Sequence, residues 1–249
     1  MDEARARESE ARATMVATQL RGRGIHDERV LAAMSAVPRE LFVPEAERGA
    51  AYADGPLPIG GGQTISQPYI VARMTELVAV VEGSRVLDVG TGSGYQAAVL
   101  AELGCRVMSI ERDPALATGA AARLTTLGYG DRVEVRTGDG SLGEPQGAPW
   151  DGILVGAAAP AIPDPLREQL GEGCRLVIPV GSRDEQRLLV VIRHGSEWTE
   201  RSDGPCVFVP LIGEAGFGAT RADRSPGGDA GRSPGHRHGF WRVHWGRSR

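Results

Sequence analysis

Short aliphatic runs alternate with amphipathic segments from Arg85 to Ile212, and this alternation limits the folds open to the 249-residue chain. The aliphatic runs are RVLDV, CRVMSI, RVEVR, GILVG, CRLVIPV, RLLVVIRH and CVFVPLI. Unbroken aliphatic strands separated by helices are typical of a parallel sheet with helices on both faces. Only HGSEWTERSDGP separates the last two runs, so we expect them to form an antiparallel hairpin at one edge. The sequence therefore predicts an α/β fold with a doubly wound, mostly parallel sheet.

Helical periodicity precedes this alternating region. Apolar residues follow helical spacing over residues 10–21 and again in DERVLAAMSAV, where Asp27 is placed to cap the helix. After a Gly/Pro-rich stretch, Pro68 stands in the first turn of a third helix, YIVARMTELVAVV. We therefore expect residues 1–82 to form an N-terminal helical addition to an α/β core at residues 83–217.

The last part of the chain differs from the rest in composition. All 28 basic residues are Arg, and the formal net charge of −4 divides into −9 for residues 1–217 and +5 for residues 218–249. The terminal segment is rich in Gly and has no strand or helix periodicity, so we expect a disordered basic tail. The alternative is a basic arm for nucleic acid or an acidic partner, with Trp241 and Trp245 among its arginines. The acidic body argues against nucleic acid as a partner.

Cysteine spacing and hydropathy indicate the compartment. Cys105, Cys174 and Cys206 are an odd number without short spacing, which argues against a disulfide framework or a zinc site. His236 and His238 lack a further ligand, so we expect no bound metal. The N-terminus has no apolar core of signal-peptide length, and no run approaches the ~18 apolar residues of a membrane span. These features predict a cytoplasmic protein with free thiols that does not enter a membrane.

A glycine-rich loop carries the clearest chemical signal. The sequence RVLDVGTGSGYQAAVL places Gly90, Gly92 and Gly94 between a buried strand and a helix, where backbone can approach a ligand and helix N–H groups are free. The spacing differs from the G-x-G-x-x-G dinucleotide fingerprint, and Asp88 precedes the first glycine. A carboxylate at this position repels a pyrophosphate but attracts an ammonium group with a sulfonium beside it. The alternative role for Asp88 is that of a turn or cap residue.

Two further acids follow later strands. Glu111 ends the second strand about twenty residues after the glycines, where an acid accepts hydrogen bonds from both ribose hydroxyls. Asp139 and Gly140 follow the third strand, where a carboxylate can accept from an adenine amino group; a plain Asp-Gly turn is the alternative. Together these features predict a binding site for S-adenosylmethionine. We expect the backbone to pass close to cofactor or substrate at three glycine clusters: Gly60–Gly62, Gly90–Gly94 and Gly138–Gly140.

Four segments carry a resemblance to a known family: PLPIGGGQTISQPYIVARMTELV, VPRELFVPE, GAAAPAIPDPL and FVPLIGEAGF. They closely resemble the protein-L-isoaspartate(D-aspartate) O-methyltransferases, and GQTISQP is specific to that family. The resemblance implies a Rossmann-like methyltransferase fold. It also implies methyl transfer from S-adenosylmethionine to the free α-carboxylate of L-isoaspartyl residues in damaged proteins and peptides, after which the ester collapses to a succinimide. We expect a monomer.

The same resemblance implies roles for individual residues. Ser66 matches the serine beside the substrate carboxylate, where its hydroxyl donates one hydrogen bond and orients an oxygen toward the methyl group; capping the helix at Pro68 is the alternative role. Residues 156–160, GAAAP, are expected to leave room for a peptide backbone, with residues 209–211 on the other side. Three residues are implied to line the cleft between cofactor and substrate: Gln63, Thr64 and Ile65.

The expected chemistry makes few demands on side chains. A main-chain-type carboxylate has a pKa near ~3.5, so the acceptor is an anion at pH 7 and needs no general base. Methyl transfer is an in-line displacement, which leaves positioning and desolvation to the enzyme. Two other functions stay open: a methyltransferase of this fold acting on a small molecule or nucleic acid, and a non-catalytic cofactor-binding adaptor that would not need Ser66.

Overall fold

The strands form one small hairpin and one large sheet in the computed structural model, which describes residues 2–220. In chain order they are β1 Leu57–Gly60, β2 Gln63–Ile65, β3 Arg85–Val89, β4 Arg106–Glu111, β5 Val133–Thr137, β6 Trp150–Val155, β7 Leu170–Gly181, β8 Gln186–His194 and β9 Glu197–Cys206. The large sheet has the order β5-β4-β3-β6-β7-β8-β9. Neighbouring strands from β5 to β7 in this order are parallel to each other. Strand β8 is antiparallel to both of its neighbours, β7 and β9. The predicted mostly parallel sheet with an antiparallel edge is confirmed.

Six α-helices accompany these strands in the described part of the chain. They are α1 Asp2–Thr14, α2 Glu28–Ala36, α3 Pro68–Val78, α4 Tyr95–Glu102, α5 Pro114–Thr126 and α6 Asp164–Glu168. A π-helical stretch over Met15–Leu20 continues α1. The expected helix starts are present, since the Asp27 side chain caps α2 by accepting from the Arg29 N–H at 2.9 Å and Pro68 opens α3.

Alternate side chains of the central strands enter two separate cores. Val86 and Leu154 pack with α2, α3 and α4 on one face of the sheet. Leu87 and Ile153 pack on the other face, in a core that includes Leu166 of α6. Because both faces are covered, the strands are continuous aliphatic runs rather than alternating ones.

The order of the strands reverses between β3 and β6. The chain builds outward from β3 to β5 and then returns to the other side of β3, so the connections diverge at the carboxyl ends of β3 and β6. Open α/β sheets bind ligands in the crevice at such a reversal. Val89 and Val155 end the two strands, and the Gly156 N–H donates to the Val89 carbonyl at 2.7 Å. The glycine-rich loop after β3 therefore begins at this crevice.

The glycines between β1 and β2 form a tight turn. Gly61 and Gly62 have φ angles of 58° and 71°, as a two-residue hairpin turn with a right-handed strand twist requires. Gly60–Gly62 are exposed at the hairpin tip. They supply turn conformation, which differs from the close approach to a ligand that we expected at this cluster.

The hairpin at the edge of the sheet uses a different second strand from the one expected. β8 ends at His194, and β9 begins at Glu197 after a turn in which Gly195 has a φ of 63°. The aliphatic run at 206–212 is not the partner of β8, so that expectation is wrong. β9 is an edge strand of which only Cys206 is buried, and hydropathy therefore gave no signal for it.

Three expectations concern features away from the sheet. Cys105 and Cys206 are buried and Cys174 is half-buried, and all three are free thiols. Among residues 2–220 no helix combines the length and the apolar character needed to cross a membrane. Apart from its first residues, the expected tail at 218–249 lies outside the described part, together with Trp241, Trp245, His236 and His238.

Candidate active site

The loop between β3 and α4 has the backbone geometry that its glycines predict. Gly90, Gly92 and Gly94 have φ angles of 92°, 54° and 89°, in the left-handed region that favours glycine. The Gly90 N–H donates to the Ile110 carbonyl of β4 at 2.8 Å, which fixes the start of the loop. Within residues 2–220 no side chain caps the start of α4, so its first N–H groups are free to bind a ligand at the crevice.

Asp88 is buried at the base of this loop, with 1% of its surface exposed. Ser109, its direct neighbour on β4, donates from Oγ to Asp88 Oδ2 at 2.7 Å, and Thr91 Oγ1 lies 2.6 Å from the same hydroxyl. Asp88 Oδ1 is buried without a hydrogen-bond partner among the described residues. Burial, with a smaller contribution from the nearby Glu111 carboxylate, raises the pKa of Asp88 to about 7. A buried, unpaired carboxylate oxygen is a docking point for a cationic ligand.

Glu111, the last residue of β4, holds the glycine-rich loop through its carboxylate. Its Oε2 accepts from the Gly92 N–H at 2.9 Å, and its Oε1 accepts from the Asp113 N–H at 3.0 Å. Each carboxylate oxygen can accept a further bond. Glu111 is 6% exposed, so any hydroxyl that it binds lies inside the crevice.

The β1–β2 hairpin lies across the glycine-rich loop. A Cβ placed on Gly92 would lie 3.3 Å from Ile59 Cδ1, so this glycine makes room for the hairpin. A pocket separates the two segments. Six of the residues expected at the site line it: Thr64, Ile65, Ser66, Asp88, Gly90 and Gly92.

Ser66 stands in this pocket with an unengaged side chain. It is half-buried, and its hydroxyl has no hydrogen-bond partner in the described part of the chain. The N-cap residue of α3 is Gln67, and no side chain in the described part of the chain caps this helix, so Ser66 does not serve as the helix cap. Its carbonyl accepts from Arg39 Nη2 at 2.7 Å. The backbone of Ser66 is therefore held in place while the hydroxyl stays free to bind a ligand.

Other expected residues lie beside the pocket rather than in its lining. Asp139 Oδ1 accepts from the Ser141 N–H at 3.0 Å and from its hydroxyl at 2.6 Å, and Asp139 Oδ2 accepts from the Glu214 N–H at 2.7 Å. Asp139 thus caps a short turn and holds the segment at 213–217. A Cβ on Gly140 would lie 2.5 Å from Val89 Cγ1, which requires glycine there. Gln63 and Gly94 adjoin lining residues in the chain.

The GAAAP segment at 156–160 packs differently from the expectation. The Ala158 N–H donates to the Val209 carbonyl at 2.8 Å, and the Leu211 N–H donates to the Ala158 carbonyl at 2.7 Å. Ala159 bridges to β7, and both alanines are fully buried. The small side chains make room for the protein's own segment at 209–211, and the expected contact of GAAAP with a peptide stays a prediction. Only Gly156, at the start of GAAAP, lines the pocket.

Several residues at the pocket were not among the expected site residues. Thr91, Tyr95 and Phe208 line it, and Arg39 lies behind Ser66. Tyr95 adjoins the last glycine of the loop, so its place follows from the motif. Arg39 and Phe208 reach the site only through the fold. Within residues 2–220 no cluster of His, Cys, Asp and Glu side chains has the make-up of a metal site.

Curated sequences support one assignment. The profile of the protein-L-isoaspartate(D-aspartate) O-methyltransferase family matches residues 11–216. The chain is similar to a protein-L-isoaspartate O-methyltransferase of Methanoregula boonei, at 54% identity over 84% of this chain and 96% of that protein. It is 56% identical to one of Methylorubrum populi, over 81% of this chain and 95% of the relative.

Solved structures agree with the sequence relatives. A protein-L-isoaspartate O-methyltransferase is similar with a TM-score of 0.74 and 27% identity, over 82% of this chain and 67% of that one. A Plasmodium falciparum structure in complex with S-adenosyl-L-homocysteine has a TM-score of 0.69 over 81% of this chain and 98% of its own, and at 24% identity it supports the fold alone. The chain belongs to the protein-L-isoaspartate(D-aspartate) O-methyltransferase family.

Proposed function

We propose that this protein transfers a methyl group from S-adenosylmethionine to the free α-carboxylate of L-isoaspartyl residues in damaged proteins and peptides. The observation that carries the proposal is the free hydroxyl of Ser66, which shares one pocket with the buried Asp88 and the glycine-rich loop. A methyl donor bound at the glycine-rich loop and a methyl acceptor bound beside Ser66 would then meet in the same pocket.

The residues of the loop side fit the cofactor. The unpaired Asp88 Oδ1 suits the cationic amino-acid end, and the glycine backbone with the open start of α4 suits its carboxylate. Glu111 retains acceptor capacity for two ribose hydroxyls. The bound cofactor supplies a methyl group activated by a sulfonium. Ten residues are proposed to hold it: Gln63, Thr64, Ile65, Asp88, Gly90, Gly92, Gly94, Glu111, Asp139 and Gly140.

Ser66 orients the acceptor in this proposal. The α-carboxylate is ionised at neutral pH, so neither a base nor a nucleophilic side chain is needed. The Ser66 hydroxyl donates to one carboxylate oxygen and leaves the other directed at the methyl group. The side chain of Ile65, 4% exposed, and the hairpin above the loop exclude water from this contact.

A peptide pair tests the proposal directly. Two synthetic peptides of one sequence, differing only in an isoaspartyl or an aspartyl linkage, are incubated with the protein and S-adenosylmethionine, and mass spectrometry follows the methyl ester and then the succinimide. We expect ester and succinimide from the isoaspartyl peptide and neither from the aspartyl control. Equal rates on both peptides would rule out isoaspartyl recognition.

We also propose that residues 1–217 carry the whole activity, as a cytoplasmic monomer, and that residues 218–249 take no part in it. The family match ends at residue 216, which supports this division. Deletion of residues 218–249 should leave kcat/KM on the isoaspartyl peptide within twofold of the full chain. Loss of activity would instead favour a basic arm that recruits a nucleic acid or an acidic partner.

A further inference from the structure

Arg39 is a fully buried cation without a carboxylate partner in the described part of the chain. Its Nε donates to the Ala51 carbonyl at 2.7 Å and its Nη2 donates to the Ser66 carbonyl at 2.7 Å. Its Cζ lies 4.9 Å from the centre of the Tyr95 ring. Its Nη1 is buried and makes no hydrogen bond with residues 2–220. Burial lowers the pKa of Arg39, but a guanidinium stays charged in proteins.

The adjacent buried acid does not neutralise Arg39. Glu40 accepts from the Tyr52 hydroxyl and faces Arg12, whose Nη2 lies 3.9 Å from Glu40 Oε1. Among the described residues, carbonyl oxygens and the side chains of Tyr95 and Tyr52 therefore stabilise the Arg39 charge, and no carboxylate does. A buried cation in this state is costly unless an anion completes its surroundings.

The position of Arg39 indicates where that anion binds. Standard bond lengths place the hydroxyl oxygen of a serine within about 5 Å of its own carbonyl oxygen, so Arg39 Nη2, which binds that carbonyl, lies within about 8 Å of the free Ser66 hydroxyl. Tyr95, against which Arg39 stacks, lines the pocket beside Ser66. The positive charge therefore lies behind the acceptor side of the pocket, whereas Asp88 and Glu111 lie on the cofactor side.

We propose that Arg39 is a positioning residue that makes the acceptor side selective for an anionic carboxylate. It holds Ser66 through the carbonyl bond, and its uncompensated charge favours a carboxylate over a neutral group of the same shape. This inference rests on the proposed function, because it takes the acceptor to be a carboxylate. Arg39 acts through Ser66 and through its electric field, without touching the reacting atoms.

The test compares the binding of two peptides to the full chain saturated with S-adenosylhomocysteine. One carries the isoaspartyl α-carboxylate, and the other carries an α-carboxamide in its place. For the wild type we expect the acid to bind at least tenfold more tightly in calorimetric titrations. Arg39→Met should bring the ratio of the two affinities to within threefold of one, and Arg39→Lys should keep the wild-type ratio while lowering kcat.

If the role of Arg39 is merely structural, Arg39→Met should weaken the binding of both peptides equally and leave the ratio of the two affinities unchanged. That result would overturn the inference. Arg175→Met is the matched control, because Arg175 is a half-buried arginine that donates to the Leu77 carbonyl at 3.1 Å, near the amino end of β6. It should keep the wild-type ratio. If Arg39→Met does not fold, a ratio of one in the wild type or in Arg39→Lys contradicts the inference. An inactive wild type refutes the proposed function instead.

Discussion

The two sides of the pocket carry opposite charge. The cofactor side holds the buried carboxylates of Asp88 and Glu111, and the acceptor side is backed by the buried guanidinium of Arg39. This polarity suits a cationic methyl donor opposite an anionic methyl acceptor. We propose that each side of the pocket is matched to the charge of its own ligand, so that charge governs binding while geometry governs transfer.

The two sides also differ in how the chain builds them. The glycine-rich part of the cofactor side comes from consecutive residues of one strand, loop and helix, joined by backbone bonds to β4. The acceptor side is assembled from distant positions, since Arg39 connects Ala51, Ser66 and Tyr95. A change on one side should therefore alter one property of the enzyme and spare the other.

Ser66→Ala should have the largest effect, confined to turnover. Loss of one orienting hydrogen bond at the transition state is expected to lower kcat on the isoaspartyl peptide by one to three decades, or about 1.4–4 kcal/mol. The measurement is steady-state methyl transfer. Ser35→Ala, on α2 outside the pocket, is the control and should retain full kcat. An unchanged kcat in Ser66→Ala would remove Ser66 from the mechanism.

Asp88→Asn should affect the cofactor side instead. Removal of the buried charge is expected to weaken S-adenosylmethionine binding by about a hundredfold, on the scale of a charge pair at a partly screened site. Calorimetric titration measures the Kd. Asp184→Asn, an exposed position between β7 and β8, should bind like the wild type. Equal affinities for Asp88→Asn and wild type would mean that Asp88 does not contact the cofactor.

The pH dependence of stability sharpens the same point. The pKa of Asp88 is about 7 in the folded protein, and an Asp in an unfolded chain has a pKa near ~3.9. Between these values the folded protein keeps a proton that the unfolded chain releases, so the unfolding free energy falls as pH rises. From pH 5 to pH 8 the cofactor-free wild type should lose roughly 2.5 kcal/mol relative to Asp88→Asn. Parallel urea-unfolding curves for the two proteins at every pH would contradict this.

Asp139→Asn should have the smallest effect and should appear mainly as lost stability. Asn cannot accept all the bonds that the carboxylate receives from Ser141 and Glu214, so we expect a loss of about 1–2 kcal/mol in the unfolding free energy. Both carboxylate oxygens of Asp139 already accept hydrogen bonds within the protein, so we expect only a small contribution to adenine binding. The Kd for S-adenosylmethionine should therefore rise less than tenfold. A change in the Kd for S-adenosylmethionine without a change in the unfolding free energy would contradict the expectation that Asp139 acts mainly on stability.

The contrast between the two sides explains what the sequence could predict. The first six aliphatic runs, the glycine-rich loop and the strand-end acids are local patterns, and the structure places them in and directly after the predicted strands. The β9 strand and the packing of GAAAP against 209–211 depend on pairing between distant segments, which hydropathy does not record. Arg39 is the clearest case, because nothing around it in VPRELFVPE indicates that its side chain reaches the Ser66 carbonyl.

The central claim is that the acceptor side and the cofactor side act separately, although they share one pocket. The most direct test is a calorimetric titration of S-adenosylmethionine into Ser66→Ala, the variant whose turnover should fall most. We predict a Kd within twofold of the wild type. A Kd weakened tenfold or more would contradict the claim, because the Ser66 side chain would then contribute to cofactor binding as well as to turnover.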